Sequence, residues 1–535
     1  MNGNDPPEPQ SIEEALALIK SRPDDAALFQ ILGGLYLRAG HIKESVEALE
    51  RSRELDPEDP FTHLHLGNAL EACEKFEEAL LRYQHAAKLL PDEAVAYWCQ
   101  GSAHLELGQF VQANHTYEYA VQVDPDDGQA RAKLAAWRAA TAGTTTLTRK
   151  MIEAAHSKDL AATTVLLASR WLQSHPDDAY ATFACADMLC KLMRYDESTH
   201  MFIAAAARFE KWRWVIFIEL GHQLRHRGDF PAAETWYQKA IDVDSSNSAA
   251  YVFLGAVQAR QGRLEEAEKT HRAATMLPDE TADEAHHNLG LVLRGQGKLV
   301  EAAASFRRAI ELCSDYPDAI EALQDVETAR ELETTPEALN AATDSLRKEI
   351  QTAHRNDQAA TTVLLALRWL REHPDDIEVI HDYARMLYQM TRYDEAIRVY
   401  LDAADGNEDD RWGIYNQLGH LFLYRGDFAT AETWYLKAID EDPTESRSYD
   451  FLGEVQARQG KLDQAEKTHR TATMLPDGWV DLAYHELGLA LRGQGRLVEA
   501  AVCFRKAIEL DSEYPDAVEA LQDVEAAIML DGAAV

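Results

Sequence analysis

From Ala26 onward the apolar positions recur at helical rather than strand spacing. Phe29, Leu32, Gly33 and Tyr36 occupy the fourth, seventh, eighth and eleventh places of a first segment. On a helix of about 3.6 residues per turn these places share one face. After a turn at Ala39-Gly40-His41, a second segment returns Ser45, Leu49 and Ser52 to the same seam. The pattern predicts two helices packed on one seam: small residues at the eighth and twentieth places permit close approach, and large ones fill the gaps between successive pairs. Proline then ends the second helix, because it cannot continue the hydrogen-bond ladder. The unit repeats every 34 residues, with Gly33, Gly67 and Gly101, then Ser45, Ala79 and Ala113, then Pro57, Pro91 and Pro125 in register. A period of this length marks a solenoid of stacked hairpins.

A longer repeat overlies the short one. AETWYQKAID at Ala233 returns as AETWYLKAID at Ala431, and KTHRAATMLPD at Lys269 as KTHRTATMLPD at Lys467, an offset of 198 residues without a gap. This divides the chain into a polar, proline-rich start expected to be disordered (residues 1–10), a first block (11–143), a second (144–333), a linker (334–345) and a third (346–530) that duplicates the second. Ser11 with Glu14 forms a capping box that opens a half-repeat. Lone helices from Pro317 and Pro515 should cover the last repeat of each duplicate. The joints Gly143-Thr144-Thr145-Thr146 and Glu333-Thr334-Thr335-Pro336 read as boundaries. Two kinds of unit depart from the pattern. Met151-Ile152 and Glu349-Ile350 replace the Leu-Gly pair, and Glu210-Lys211-Trp212 and Glu408-Asp409-Asp410 replace the closing proline.

The order aromatic, Leu-Gly, Tyr or Leu, Ala, Phe or Tyr, Ala, Pro is similar to the tetratricopeptide repeat, from about Ser11 to Leu530. The resemblance implies an all-α solenoid of helix pairs stacked into a right-handed superhelix with a concave groove. It also implies scaffolding or peptide binding rather than catalysis.

Charge narrows the partners. With 91 acidic against 53 basic residues, the net charge of -38 argues against gripping nucleic acid or anionic membrane. Much of the acid lies in the junctions before helices, at Asp56–Asp59, Asp124–Asp127 and Asp177–Asp178, where carboxylates cap free amides. Six scattered cysteines form no CxxC pair, there is no signal-peptide pattern and no stretch long enough to cross a bilayer, so a cytoplasmic location is expected. No hydrolase, nucleotide-binding or zinc-protease motif appears. Gly295-Gln296-Gly297 lies in a hairpin turn, and the adjacent His286 and His287 point about 100° apart on a helix, so no cofactor or metal site is expected.

If the fourth, seventh, eighth and eleventh places are buried, the second, fifth, ninth, twelfth and thirteenth line the concave surface. There the pairs His222/His420, Arg260/Arg458, His287/His485 and Arg294/Arg492 recur in both duplicates. A basic seam inside an acidic solenoid suits a carboxylate-rich or C-terminal peptide, since arginine pairs carboxylates bidentately. Equally, these arginines could pair with neighbouring helices and match by descent. The first block is more mixed on this face, with Asn68 and Trp98 suited to amide and aromatic contacts. The other recurring tryptophans, Trp171/Trp369 and Trp236/Trp434, read as core. The expectation is a non-enzymatic adaptor holding a protein segment in its grooves, with exposed arginines and two matched arcs gripping two similar segments. The alternative is a regulatory protein that wraps and sequesters a folded enzyme. Oligomeric state is not legible.

Overall fold

The computed structural model describes residues 9–141, 145–277, 281–334, 343–407, 410–475 and 479–532. Residues 1–8 of the expected disordered start, residues 143–144 and 335–336 of the two joints, and residues 408–409 lie outside them. Among the described residues there are thirty α-helices, one 3-10 turn at Glu210–Trp212 and no strand. The fold is all-α.

Local sequence explains the helix ends. Ser11 Oγ accepts from the Glu14 amide at 3.2 Å, and the Glu14 carboxylate accepts from the Gln10 amide at 2.9 Å, opening the helix Ile12–Ser21. Asp59 accepts from the amides of Phe61 and Thr62 at the start of Pro60–Glu71, where Pro60 needs no amide partner. Asp229 and Asp427 cap Phe230–Val243 and Phe428–Glu441. Part of the acidic excess therefore satisfies helix amides.

Inside each hairpin the glycine of the eighth place is a matter of space. At Gly67 and Gly101, a β-carbon would lie 2.7 Å from Cδ1 of Tyr83 and Tyr117, both buried aromatics of the facing helix. Where that glycine is missing, the pair inverts its sizes. Ile152 and Ile350 stand at the eighth place, and Ala168 and Ala366 stand where the aromatic would be; all four are fully buried. Volume along the seam is conserved although the motif is lost.

The chain packs as two compact units, Met1–Met188 with Glu519–Val535, and Leu189–Val518. In the first, Asp523 on the end helix Pro515–Gly532 caps Ala161–Ser174. Its Oδ2 accepts from the Ala162 amide at 2.9 Å and its Oδ1 from the Thr163 amide at 3.0 Å. In the second, Asp325 on Pro317–Thr334 does the same for Ala359–Glu372, accepting from Ala360 at 2.9 Å and Thr361 at 3.0 Å. The end helices form as expected, and each also closes the N-terminus of another hairpin.

Within the second unit, turns and helix ends of the two duplicates touch through equivalent backbone pairs. Gly228 and Gly426 hold φ of +71° and +78°, and a β-carbon on Gly228 would lie 2.5 Å from Gly426 Cα. A β-carbon on Gly295 would meet the Met390 carbonyl, and one on Gly493 the Leu192 carbonyl, its counterpart 198 residues earlier.

Candidate functional site

A cleft of about 360 Å³ opens across the first helices of successive third-block repeats. His354 stands at its rim on Thr343–Arg355, His381, Asp382 and Arg385 on Ile377–Gln389, Asn416 and His420 on Arg411–Tyr424, and Arg447 and Phe451 on Ser446–Arg458. Six of these, His354, His381, Arg385, Asn416, His420 and Arg447, fall on the second, fifth, ninth and twelfth places. These are among the places that the sequence assigns to the concave face.

Its wall is hydrogen-bonded. His381 Nε2 lies 2.9 Å from Asp410 Oδ2, and its Nδ1 lies 3.2 Å from the hydroxyl of the buried Tyr400. His354 Nδ1 lies 2.8 Å from Asp382 Oδ1, within ion-pair distance but without hydrogen-bond geometry. Burial pushes the Asp382 carboxyl up, and the nearby His354 opposes this. His420 Nδ1 meets the Tyr435 hydroxyl at 3.0 Å, its ring stacks edge-on against Phe451, and burial lowers its pKa to about 4. At neutral pH His420 is therefore an uncharged wall group.

Two groups of this wall keep unused hydrogen-bonding capacity. Arg385 is exposed and has no hydrogen-bond or ion-pair partner among the described residues. Asn416 is 4 % exposed; its Nδ2 donates to Ser448 Oγ at 2.9 Å, and its Oδ1 has no partner. Whichever way the amide is turned, one polar atom is left for something else to satisfy. Arg447 is exposed at the mouth, held 3.0 Å from Glu445 and 5.0 Å from the centre of the Trp479 ring.

A second cleft, of about 380 Å³, lies in the first block and joins Asn68 to Trp98. The Tyr83 hydroxyl sits 2.8 Å from both Asn68 Oδ1 and Glu71 Oε2. Lys133 Nζ donates to Ser102 Oγ at 3.3 Å and lies 5.5 Å from the Trp98 ring centre. The indole Nε1 of Trp98 has no partner among the described residues.

The residues shared by the duplicates are not gathered into one exposed seam. Arg294, expected to be exposed, is 7 % exposed: Nη1 donates to Asp325 Oδ2 at 3.2 Å, because the end helix covers the twelfth place of the last repeat. Arg492, at the same place in the third block, is partly buried. His287 meets the Tyr316 hydroxyl at 3.1 Å and burial lowers its pKa; His485 is buried, 3.3 Å from Glu486 Oε1. His222 packs edge-on against Phe253 and lies 3.5 Å from Glu219. Arg458 pairs with Glu454 at 2.6 Å, and Arg260 lies near Tyr388 and Tyr393 of the third block. Of the eight, only His420 lines the third-block cleft. Asking which concave residues recur in both duplicates selected those that hold the scaffold, and passed over Arg385 and Asn416, which differ between them. Trp171 and Trp369 are core as expected, each donating its indole N–H to an aspartate, Asp178 or Asp376, at 2.9 Å. Trp236 and Trp434 are only partly buried, under Lys239 and Lys437.

Among the described residues no histidine, cysteine and carboxylate group is arranged to hold a metal ion, and no helix is long and apolar enough to cross a membrane.

Known families match along the chain. The TPR repeat pattern matches residues 221–262, and two tetratricopeptide-repeat patterns match residues 283–316 and 481–514, and 382–446 and 416–477. The Hsp70-Hsp90 organizing protein 1 of Glycine max is 24% identical over 258 residues, which is 47% of this chain and 40% of that protein. The chain thus matches about two fifths of that relative's length. Among solved structures, a tetratricopeptide repeat protein from Parabacteroides merdae is 19% identical, covering 52% of this chain and 98% of that one with a TM-score of 0.26. MamA from Desulfovibrio magneticus is 18% identical, covering 32% and 95% with a TM-score of 0.28.

Proposed function

Because the chain belongs to the tetratricopeptide-repeat family, we propose that it is a non-catalytic adaptor that holds extended segments of a partner protein along its concave clefts. The observation that carries this reading is the third-block cleft, with an unpaired guanidinium at Arg385, a second cation at Arg447 and the aromatic faces of Trp412 and Phe451. That combination suits a carboxylate-bearing segment, either an acidic side chain or a chain terminus. The first-block cleft offers the Asn68 amide and the Trp98 indole, which suit a segment of another composition. His420 serves as a neutral wall, Arg458 and Arg260 flank the contact between duplicates, and Arg294 acts as a strut. A partner without nucleic acid accords with the charge of -38, and the scattered cysteines accord with a cytoplasmic location. The likeness to a protein named as an Hsp70-Hsp90 organizer supports an adaptor role of this general kind.

A peptide array probed with the intact chain tests the reading. Short acidic or free-carboxylate peptides should be retained, and their amidated or glutamine versions should not. Retention of none of them, with capture only of a folded enzyme whose activity falls on binding, would favour sequestration instead.

A further inference from the structure

The second and third blocks share their helices almost residue for residue: Ala161–Ser174 with Ala359–Glu372, Arg213–His226 with Arg411–Tyr424, and Ser248–Arg260 with Ser446–Arg458. Their concave residues nevertheless change together. His381, Tyr400 and Asp410, one hydrogen-bonded chain, stand where the second block has Phe183, Phe202 and Trp212. Asn416 and Ser448, bonded to each other, replace Ile218 and Ala250. Arg385 replaces Asp187, and Arg447 replaces Ala249.

These are exchanges of whole interacting groups rather than isolated drift. Burying an amide and a hydroxyl gains little over burying isoleucine and alanine, and the second block folds with the apolar set. The scaffold therefore has no need of the polar set. What it provides is a buried amide atom left unsatisfied at Asn416, on the cleft lining, and an exposed guanidinium without a partner among the described residues at Arg385. The equivalent places in the second block are filled by a methyl-bearing side chain and a carboxylate. Both blocks keep a carboxylate beside the equivalent histidine, Asp187 at His156 and Asp382 at His354, but only the third adds the guanidinium of Arg385 for an anionic segment to meet, and such differences are how related grooves are made selective.

We infer that the duplicated blocks are not two copies of one site: the third block alone takes the carboxylate-bearing segment, one per chain, with Arg385 pairing the carboxylate and Asn416 bonding the segment's main chain. This rests on the adaptor reading and fixes its stoichiometry and its specificity-determining residues. It replaces the expectation of two similar segments held at once.

The test uses the full chain and fluorescein-labelled octapeptides carrying several glutamates and a free C-terminus, followed by anisotropy and calorimetry. One site per chain is expected. Arg385→Asp, which installs the second-block residue, should weaken binding about tenfold or more, as expected for loss of a charge-assisted hydrogen bond. Asn416→Ile with Ser448→Ala, again second-block residues and therefore compatible with the fold, should weaken it several-fold while the melting temperature holds. Two equal sites per chain, or unchanged affinity in Arg385→Asp, would overturn the asymmetry and leave the adaptor reading standing. Failure of every glutamate peptide to bind the wild type would overturn the carboxylate reading and this inference together.

Discussion

The helices Arg213–His226 and Arg411–Tyr424 hold equivalent places in the two duplicates, yet one buries Ile218 and the other Asn416. Both sit on the same turn of the same scaffold, at 6 % and 4 % exposure. The surrounding packing agrees: Gly221 and Gly419 face Tyr237 and Tyr435 in the same way. The comparison separates two tasks that a single repeat array would leave mixed. Many residues common to both duplicates build hairpins and junctions, while Arg385, Asn416 and Arg447, which differ, line the third-block cleft. A duplicated solenoid thus contains its own control.

The junction shared by both duplicates should give the largest effect. Asp325 closes the helix Ala359–Glu372 and accepts from the buried Arg294 guanidinium. Asp325→Ala should cost about 3–5 kcal/mol in urea denaturation, the usual consequence of stranding a buried charge. Arg294→Met combined with Asp325→Asn should recover much of that. A loss below about 1 kcal/mol in the single variant would return Arg294 to the list of residues available to a ligand.

A second contrast lies at the paired histidines His271 and His469. His469 has the Asp450 carboxylate 3.5 Å away, whereas the place of Asp450 in the second block is Val252. Burial alone lowers the His271 pKa to about 4. Its folded pKa lies below the unfolded value of about 6.5, so the unfolded chain takes up the proton first as pH falls. The associated stability is present above about pH 6.5 and is lost on descending to about pH 4, for a total of about 3 kcal/mol. Denaturation at stepped pH should show this slope flattened in His271→Phe, the residue that Phe306 supplies at the same place of the next repeat. An unaltered slope would assign the acid sensitivity elsewhere.

A smaller effect is expected from making the third block resemble the second. Asn416→Ile with Ser448→Ala should leave stability unchanged or raise it by about 1 kcal/mol, since a hydrogen-bonded buried pair is exchanged for an apolar one. Marked destabilisation would mean that the polar pair is part of the scaffold after all.

Most of the fold was legible because the seam is written in residue size at fixed spacing. The eighth-place glycine, the twentieth-place small residue and the closing proline locate the regular hairpins. Even the irregular ones yield once Ile152 with Ala168 is recognised as a large–small exchange. The register that lines the third-block cleft was legible for the same geometric reason. The residues on it were not, because agreement between duplicates is a signature of shared packing: Arg294 is kept by Asp325, and His287 by Tyr316. Nor does linear spacing disclose that an end helix will reach the twelfth place of the last repeat and bury it. The signal for Arg385 and Asn416 was present in the sequence, as positions where one duplicate is charged or amide-bearing and the other carboxylate or aliphatic.

Hydrogen exchange of the full chain with and without a saturating glutamate octapeptide tests the central contrast most directly. The account predicts new protection confined to peptides spanning Ile377–Arg458, with the equivalent stretch Ala179–Arg260 unchanged. Equal protection in both stretches would contradict it.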